Sequence, residues 1–222
     1  MNNSDFIKMM VEYNKDCKST FKSVSIAQAI EESGSGTSNL YVLANASYGI
    51  KATSTWSGKV YSTATKQVYS SYDEAKKVGG TLYRAYNYIK DSVIDHDKFL
   101  QASRYTPVRN AKSYQEACLQ LRLCGYCPDD GYETRLMKII TKYNLTQYDE
   151  PLEFPFKVKV VYSGKDGVNV RKNPDYKDSS IDNVNGPIMY GSQCTVVELV
   201  GDFYKTKSGL YITSNPIYIQ RV

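Results

Sequence analysis

At 222 residues, with 41% hydrophobic and 23% charged side chains, the chain has an ordinary globular make-up, enough for one large domain or a medium and a small one. A formal net charge of +5, spread over both halves without a basic arm or stripe, argues against the concentrated cationic face of a nucleic-acid binder. No apolar run approaches a membrane span, and five cysteines with a single histidine make neither an even secreted framework nor a full zinc set.

Tyrosine is the compositional outlier, 21 residues against one Trp and six Phe. Its flat apolar face and hydrogen-bonding tip suit sugar-lined grooves and small β-barrels, although most of these rings are expected to fill core and surface. The first ten residues lack the charged, apolar, then small-residue order of a signal peptide. The expectation is therefore a chain made and kept in the cytoplasm.

Ser4 is positioned to cap a first helix with Phe6, Met10, Tyr13 and Cys17 along one face. A second helix, Val24–Ser33, places Ile26, Ala29 and Ile30 at i, i+3 and i+4, and stops at Gly34 and Gly36. Glu31 and Glu32 lie on its last turn. A carboxyl there is either a solvated surface charge or a partly desolvated acid beside the cleft that the glycine turn opens. After the apolar stretch Leu40–Ala44, residues 52–80 turn to Ser, Thr, Gly and Tyr, which predicts a small β-lobe forming the second wall of that cleft.

Helical periodicity returns over 87–102, with Ile89, Val93, His96 and Leu100 on one face, so His96 reads as a structural residue. Ser113 and Glu116 form a capping box for a helix carrying Leu119, Leu121 and Leu123 and ending at Gly125. The pair Cys124 and Cys127 closes this helix rather than opening one, which favours reduced structural thiols over a redox or zinc motif. A further helix spans Tyr132–Tyr143. Prolines and acids then mark a linker at 150–156 between units at 1–149 and 157–222. Beyond it, short strands at Val158–Tyr162, Val168–Arg171, Cys194–Val200, Phe203–Lys205 and Ile217–Arg221 predict a small barrel.

The run Ala27-Gln28-Ala29-Ile30-Glu31-Glu32-Ser33-Gly34-Ser35-Gly36 resembles the Ala-Gln-x-x-x-Glu-Ser-Gly-x-Gly signature of the glucosaminidase family of cell-wall hydrolases (glycoside hydrolase family 73). Ser35 stands where that family commonly has Trp. Further stretches resemble the family in the same order: Ala44–Lys51, Arg84–Tyr86 with Ser92–His96 and Phe99–Leu100, and Gly125–Tyr132. Val168–Pro174 and Phe203–Lys205 resemble a bacterial SH3-type domain, with Phe203 in the usual Trp place.

The resemblance implies an α+β chain: a lysozyme-like, mainly helical catalytic domain with a small β-lobe, followed by an all-β SH3-like barrel that attaches it to the wall. It implies an endo-acting N-acetylglucosaminidase on peptidoglycan glycan strands, with no cofactor or metal, no nucleic acid partner, no membrane insertion, and a monomeric state. Glu32 would be the general acid, and Tyr126 matches an active-site Tyr that orients substrate or acid, unless it is a buried helix-cap residue.

The second carboxylate is the difficulty, because Gln67 stands where relatives often have Glu. Glu74 is the replacement candidate, although Ser71–Glu74 is also a capping pattern, and Asp73 is a further one. Without a second carboxylate, the substrate's N-acetyl group would serve as nucleophile, with Gln67 hydrogen-bonding it. Tyr48, Trp56, Asn45 and Gln28 complete the substrate-binding set, with core filling as the alternative for Tyr48. The free thiols and lack of a leader suggest a phage or prophage lysin reaching the wall after membrane opening, or else an autolysin. Two other functions stay open: a muramidase or lytic transglycosylase on the same fold, and a catalytically silent wall-binding protein.

Overall fold

The computed structural model describes residues 2–149, 154–176, 187–215 and 217–222. Most of the expected linker, 150–153, lies outside the described residues.

The helical part is built around α2 (Lys22–Ser33), nine of whose twelve residues are buried. Val24, Ile26, Ala27, Ala29 and Ile30 join one hydrophobic core with Phe6, Ile7 and Met10 of α1 (Asn3–Tyr13). The same core receives Val93 of α5 (Ile89–Phe99), Leu121 of α7 (Tyr114–Leu123), and Leu136 and Ile140 of α8 (Tyr132–Lys142). A side chain of this kind gains about 1.5–3 kcal/mol on full burial, so α2 is held by tertiary packing rather than by propensity.

Two ends differ from expectation. Asn2, not Ser4, caps α1, its side chain accepting from the Asp5 amide. The first turn of α2 has no local side-chain cap. Asp149, 126 residues away, supplies one, its Oδ1 accepting from the Ser23 amide at 2.8 Å. At the other end Gly34 (φ +59°) closes α2 in the left-handed conformation. Gly36 (φ +82°) lies so close to the Phe6 and Tyr41 rings that a Cβ would sit 3.0–3.1 Å from them. The small residues of this turn therefore have a steric reason.

The predicted β-lobe is a three-stranded antiparallel sheet in the order β2–β1–β3, from β1 (Lys59–Ser62), β2 (Gln67–Tyr69) and β3 (Leu82–Ala85). It also holds a short helix, α4 (Tyr72–Val78), between β2 and β3. The apolar stretch after the glycine turn is α3 (Asn39–Ala44), and α6 (Thr106–Arg109) precedes α7. Leu123, expected on a buried face, is 59% exposed, because its helix ends there and turns at Cys124.

The C-terminal part has its own core of Phe156, Val158, Val160, Val168, Val196, Tyr204, Ile212 and Ile219. Its strands are β4 (Phe156–Val160), β5 (Val170–Arg171), β6 (Gln193–Val200), β7 (Phe203–Thr206), β8 (Tyr211–Thr213) and β9 (Ile219–Arg221). They form one antiparallel sheet in the order β5–β8–β7–β6–β4–β9. Among the described residues its two edge strands do not pair, so the sheet is open where a closed barrel was expected. Phe156 already belongs to β4, and Phe154 stacks on it at 5.0 Å, so residues placed in the linker belong to this second core. The sheet touches the start of α7 through Gln115 Nε2, which donates to Ser214 Oγ at 2.7 Å, and Tyr114 Oη, which donates to Asp202 at 3.3 Å.

Candidate active site

Glu32 lies on the last turn of α2, two residues before its glycine cap. Tyr132, the first residue of α8 and itself buried, donates its hydroxyl to Glu32 Oε1 at 3.0 Å. The same hydroxyl accepts from Gln28 Nε2 at 3.1 Å, one helical turn below on α2. Glu32 Oε2 faces Gly49, where a Cβ would approach it to 3.4 Å. The backbone at Gly49 is left-handed (φ +57°), so both conformation and proximity favour glycine.

Burial pushes the Glu32 carboxyl above its usual range. The Tyr132 hydrogen bond holds it back, Glu31 adds to the rise, and Arg135 opposes it. Arg135 is tied down by Glu31 (2.5 Å) and Asp129 (2.7 Å), so its charge stays fixed near Glu32 without contacting it. With Oε1 engaged by Tyr132, the proton of the neutral acid falls to Oε2, on the side Gly49 leaves uncrowded. A carboxyl so prepared keeps its proton to higher pH than a solvated one, as a general acid requires.

Beneath it lies an aromatic layer. Tyr126 stacks on Tyr132 (6.1 Å, 19° between planes) and donates to the Tyr48 carbonyl at 3.0 Å. His96 lies against Tyr48 at 3.8 Å, is fully buried, and is held neutral by burial, its pKa lowered to about 3. The structural reading of His96 therefore stands.

Several expected site residues take other roles. Gln28 is fully buried and Tyr48 is 2% exposed, so neither can meet a sugar. Gln28 orients Tyr132, and the Tyr48 hydroxyl pairs with Ser25 at 3.0 Å. Tyr126 commits its hydroxyl to the Tyr48 carbonyl and lays its ring on Tyr132. Asn45 donates its amide to the Tyr86 and Asn87 carbonyls, 3.1 Å each, and so ties α3 to the strand end. Glu74 accepts from the Ser70 hydroxyl (2.6 Å) and amide (3.2 Å) at the start of α4, which lowers its pKa. That is a helix cap, which turns Glu74 Oε2 to Ser70.

Gln67 is exposed at the start of β2, within 3.5 Å of the Tyr69 hydroxyl. Trp56 is half-buried, edge-on to Tyr86 at 5.9 Å and under the Arg84 guanidinium at 4.6 Å. It lines a cavity of about 310 Å³ with Lys59, Ser70, Tyr86, Asn87 and Asp91, in the size range of small-ligand pockets. Arg84, Tyr86 and Asp95 form one cluster: Arg84 Nη1 donates to both Asp95 oxygens (3.0 and 2.9 Å) and the Tyr86 hydroxyl to Oδ2 (2.7 Å). The cluster joins the Arg84–Tyr86 and Ser92–His96 stretches in space.

Sequence reasoning missed Tyr132 as the partner of Glu32, together with Gly49 and Arg135. Tyr132 ends the Gly125–Tyr132 stretch, whose first Tyr took the role instead.

Residues 8–145 match the family described as Glucosaminidase, mannosyl-glycoprotein endo-β-N-acetylglucosaminidase. The chain is 30% identical over 183 residues to the exo-glucosaminidase LytG of Bacillus subtilis, covering 79% of this chain and 63% of that protein. It is 31% identical over 141 residues to an autolysin of Enterococcus faecalis, covering 59% of this chain and 18% of that one. It thus spans less than two thirds of the length of these curated relatives. Among solved structures, the catalytic domain of the autolysin Auto from Listeria monocytogenes superposes with a TM-score of 0.50 at 28% identity, over 66% of this chain and 87% of that one.

Proposed function

Because the chain belongs to the glucosaminidase family, we propose that it is a peptidoglycan-cleaving glycoside hydrolase, an endo-β-N-acetylglucosaminidase with Glu32 as its general acid. The observation that carries this reading is the desolvated Glu32 carboxyl, fixed through Oε1 by Tyr132 and facing Gly49 with Oε2. Glu32 protonates the glycosidic oxygen leaving N-acetylglucosamine C1 as the bond to N-acetylmuramic acid breaks. The opposing group is the substrate's own acetamide, with Gln67 as its hydrogen-bond partner. Support for this comes from Glu74, which is engaged as a helix cap. A fully active Gln67→Ala would remove Gln67 from the mechanism.

The C-terminal sheet serves as an SH3-type wall-binding unit, a reading supported by its separate core and its Val168–Pro174 and Phe203–Lys205 stretches. Five free cysteines support a phage or prophage lysin that reaches the wall after membrane opening.

Digestion of purified Gram-positive peptidoglycan, with reducing ends identified by mass spectrometry, tests the reading. Internal cuts ending in reducing N-acetylglucosamine, falling roughly 10²-fold or more in Glu32→Gln, are expected. Release of terminal sugars only would make the enzyme exo-acting, the mode named for the Bacillus relative. Reducing or anhydro muramic ends would identify a muramidase or transglycosylase, and binding without cleavage a silent wall-binding protein.

A further inference from the structure

Where α7 and α8 meet the C-terminal sheet lies a cleft of about 450 Å³, lined by none of the residues around Glu32 described above. One wall is a stripe of α8: Thr134, Met137, Lys138, Thr141 and Lys142. The facing wall comes from the sheet and its loops: Tyr176, Asp202, Ser214 and Asn215. Gln115 joins the two walls. It is 2% exposed, its Nε2 donates to Ser214, and its Oε1 has no hydrogen-bond partner. An unpaired buried acceptor costs about 1–3 kcal/mol, so it favours whatever donor settles against it.

The charges are arranged in opposition. Lys138 and Lys142 stand one helical turn apart on the same face, roughly 6 Å between them. Lys142 lies over the Tyr143 ring at 5.0 Å, and the neighbouring acid Glu133 is bound to Arg122 at 2.7 Å. Across the cleft, the Asp202 carboxylate, met by Tyr114 Oη at 3.3 Å, presents the acceptor, the Asn215 side-chain oxygen being held by the Ile217 amide at 3.0 Å, and the ring of Tyr176, 55% exposed, offers an apolar face. A uniform polyanion would meet Asp202 with repulsion. A ligand with a carboxylate at one side and N–H groups at the other satisfies both walls.

We propose that this cleft is a peptide site that takes the stem peptide of the wall by its free carboxylate, with Lys138 and Lys142 receiving the carboxylate. Asp202 accepts from the peptide's N–H groups, and Tyr176 packs against its side chains. This rests on the reading of peptidoglycan as substrate. It adds a contact from both parts of the chain, so a strand carrying stems is held more tightly than a bare one.

Calorimetric titration of the full chain with the synthetic tetrapeptide alanyl-γ-D-glutamyl-lysyl-D-alanine tests it. Saturable binding is expected, weakened about tenfold or more in a Lys138→Glu, Lys142→Glu double variant. Amidating the peptide's carboxylates should weaken binding to wild type equally, a comparison that needs no variant to fold. Absence of saturation near ~1 mM, or equal affinity in all arms, would overturn the proposal. So would binding of poly(glycerol phosphate) in place of the peptide. Cleavage of intact peptidoglycan, stems included, is followed separately. Cleavage without peptide binding sinks the peptide site alone, and peptide binding without cleavage sinks the Glu32 reading alone.

Discussion

Replacing Tyr132 by Phe removes one hydroxyl that serves two partners. Its hydrogen bond to Glu32 Oε1 is worth about 1.5–3 kcal/mol when the carboxyl is ionised and about 1 kcal/mol when it is neutral. The difference, about 1 kcal/mol, is an approximately fivefold gain in proton affinity once the hydroxyl is gone. The Glu32 carboxyl should therefore stay protonated to higher pH in Tyr132→Phe. The assay is kcat/KM against pH on soluble glycan strands, whose high-pH limb reports the general acid of the free enzyme. That limb should move upward while plateau activity drops, because the acid loses the contact that orients it. The variant also orphans Gln28 Nε2, fully buried, at a cost of about 1–3 kcal/mol that a urea melt reads independently. A limb that stays in place or moves downward would refute the assignment of Tyr132 to Glu32.

Glu32→Gln should be more stable than wild type at neutral pH. Its folded pKa is raised, so the native state binds more protons than the unfolded chain, and stability falls as pH climbs past the unfolded value. A melt showing the variant less stable at pH 7 but not at pH 4 would contradict this. The single histidine should stay neutral in the native state down to about pH 3 by proton NMR. Since the unfolded imidazole protonates earlier, His96 should cost stability as pH falls from about 6.5 towards that value. Titration near pH 6.5 in the folded protein would be incompatible with its burial. Asp95→Asn should cost about 3 kcal/mol in a urea melt, as it strands Arg84 and the Tyr86 hydroxyl in a pair only 15–18% exposed. A loss below about 1 kcal/mol would mean the cluster is better solvated than its geometry indicates. Glu74→Gln should leave glycan cleavage unchanged, and a large fall in turnover would restore it as a catalytic candidate.

What the sequence determined by itself is local. The 3.6-residue spacing of Ile26, Ala29 and Ile30 specified a buried helix, and Gly34 and Gly36 specified its end, because chain geometry alone sets these. The Ser71–Glu74 and Ser113–Glu116 patterns specified two helix starts, and strand-like stretches marked most of both sheets, although β3 falls just beyond the expected lobe and β8 was not foreseen. Periodicity placed both Glu31 and Glu32 on the last turn of that buried helix, and only the resemblance to the glucosaminidase signature singled out Glu32. What only the tertiary structure decided depends on residues far apart in the chain. The choice of Tyr132 over Tyr126 as partner of Glu32 spans 100 residues, and Asp149 reaches 126 residues to the first turn of α2. Neither leaves a periodic signal. The burial that takes Gln28 and Tyr48 out of a sugar's reach is likewise a property of packing, since a polar side chain reads the same in sequence whether it faces solvent or a neighbouring helix. The strand order of the C-terminal sheet was fixed the same way, by which edges found partners once the chain had collapsed.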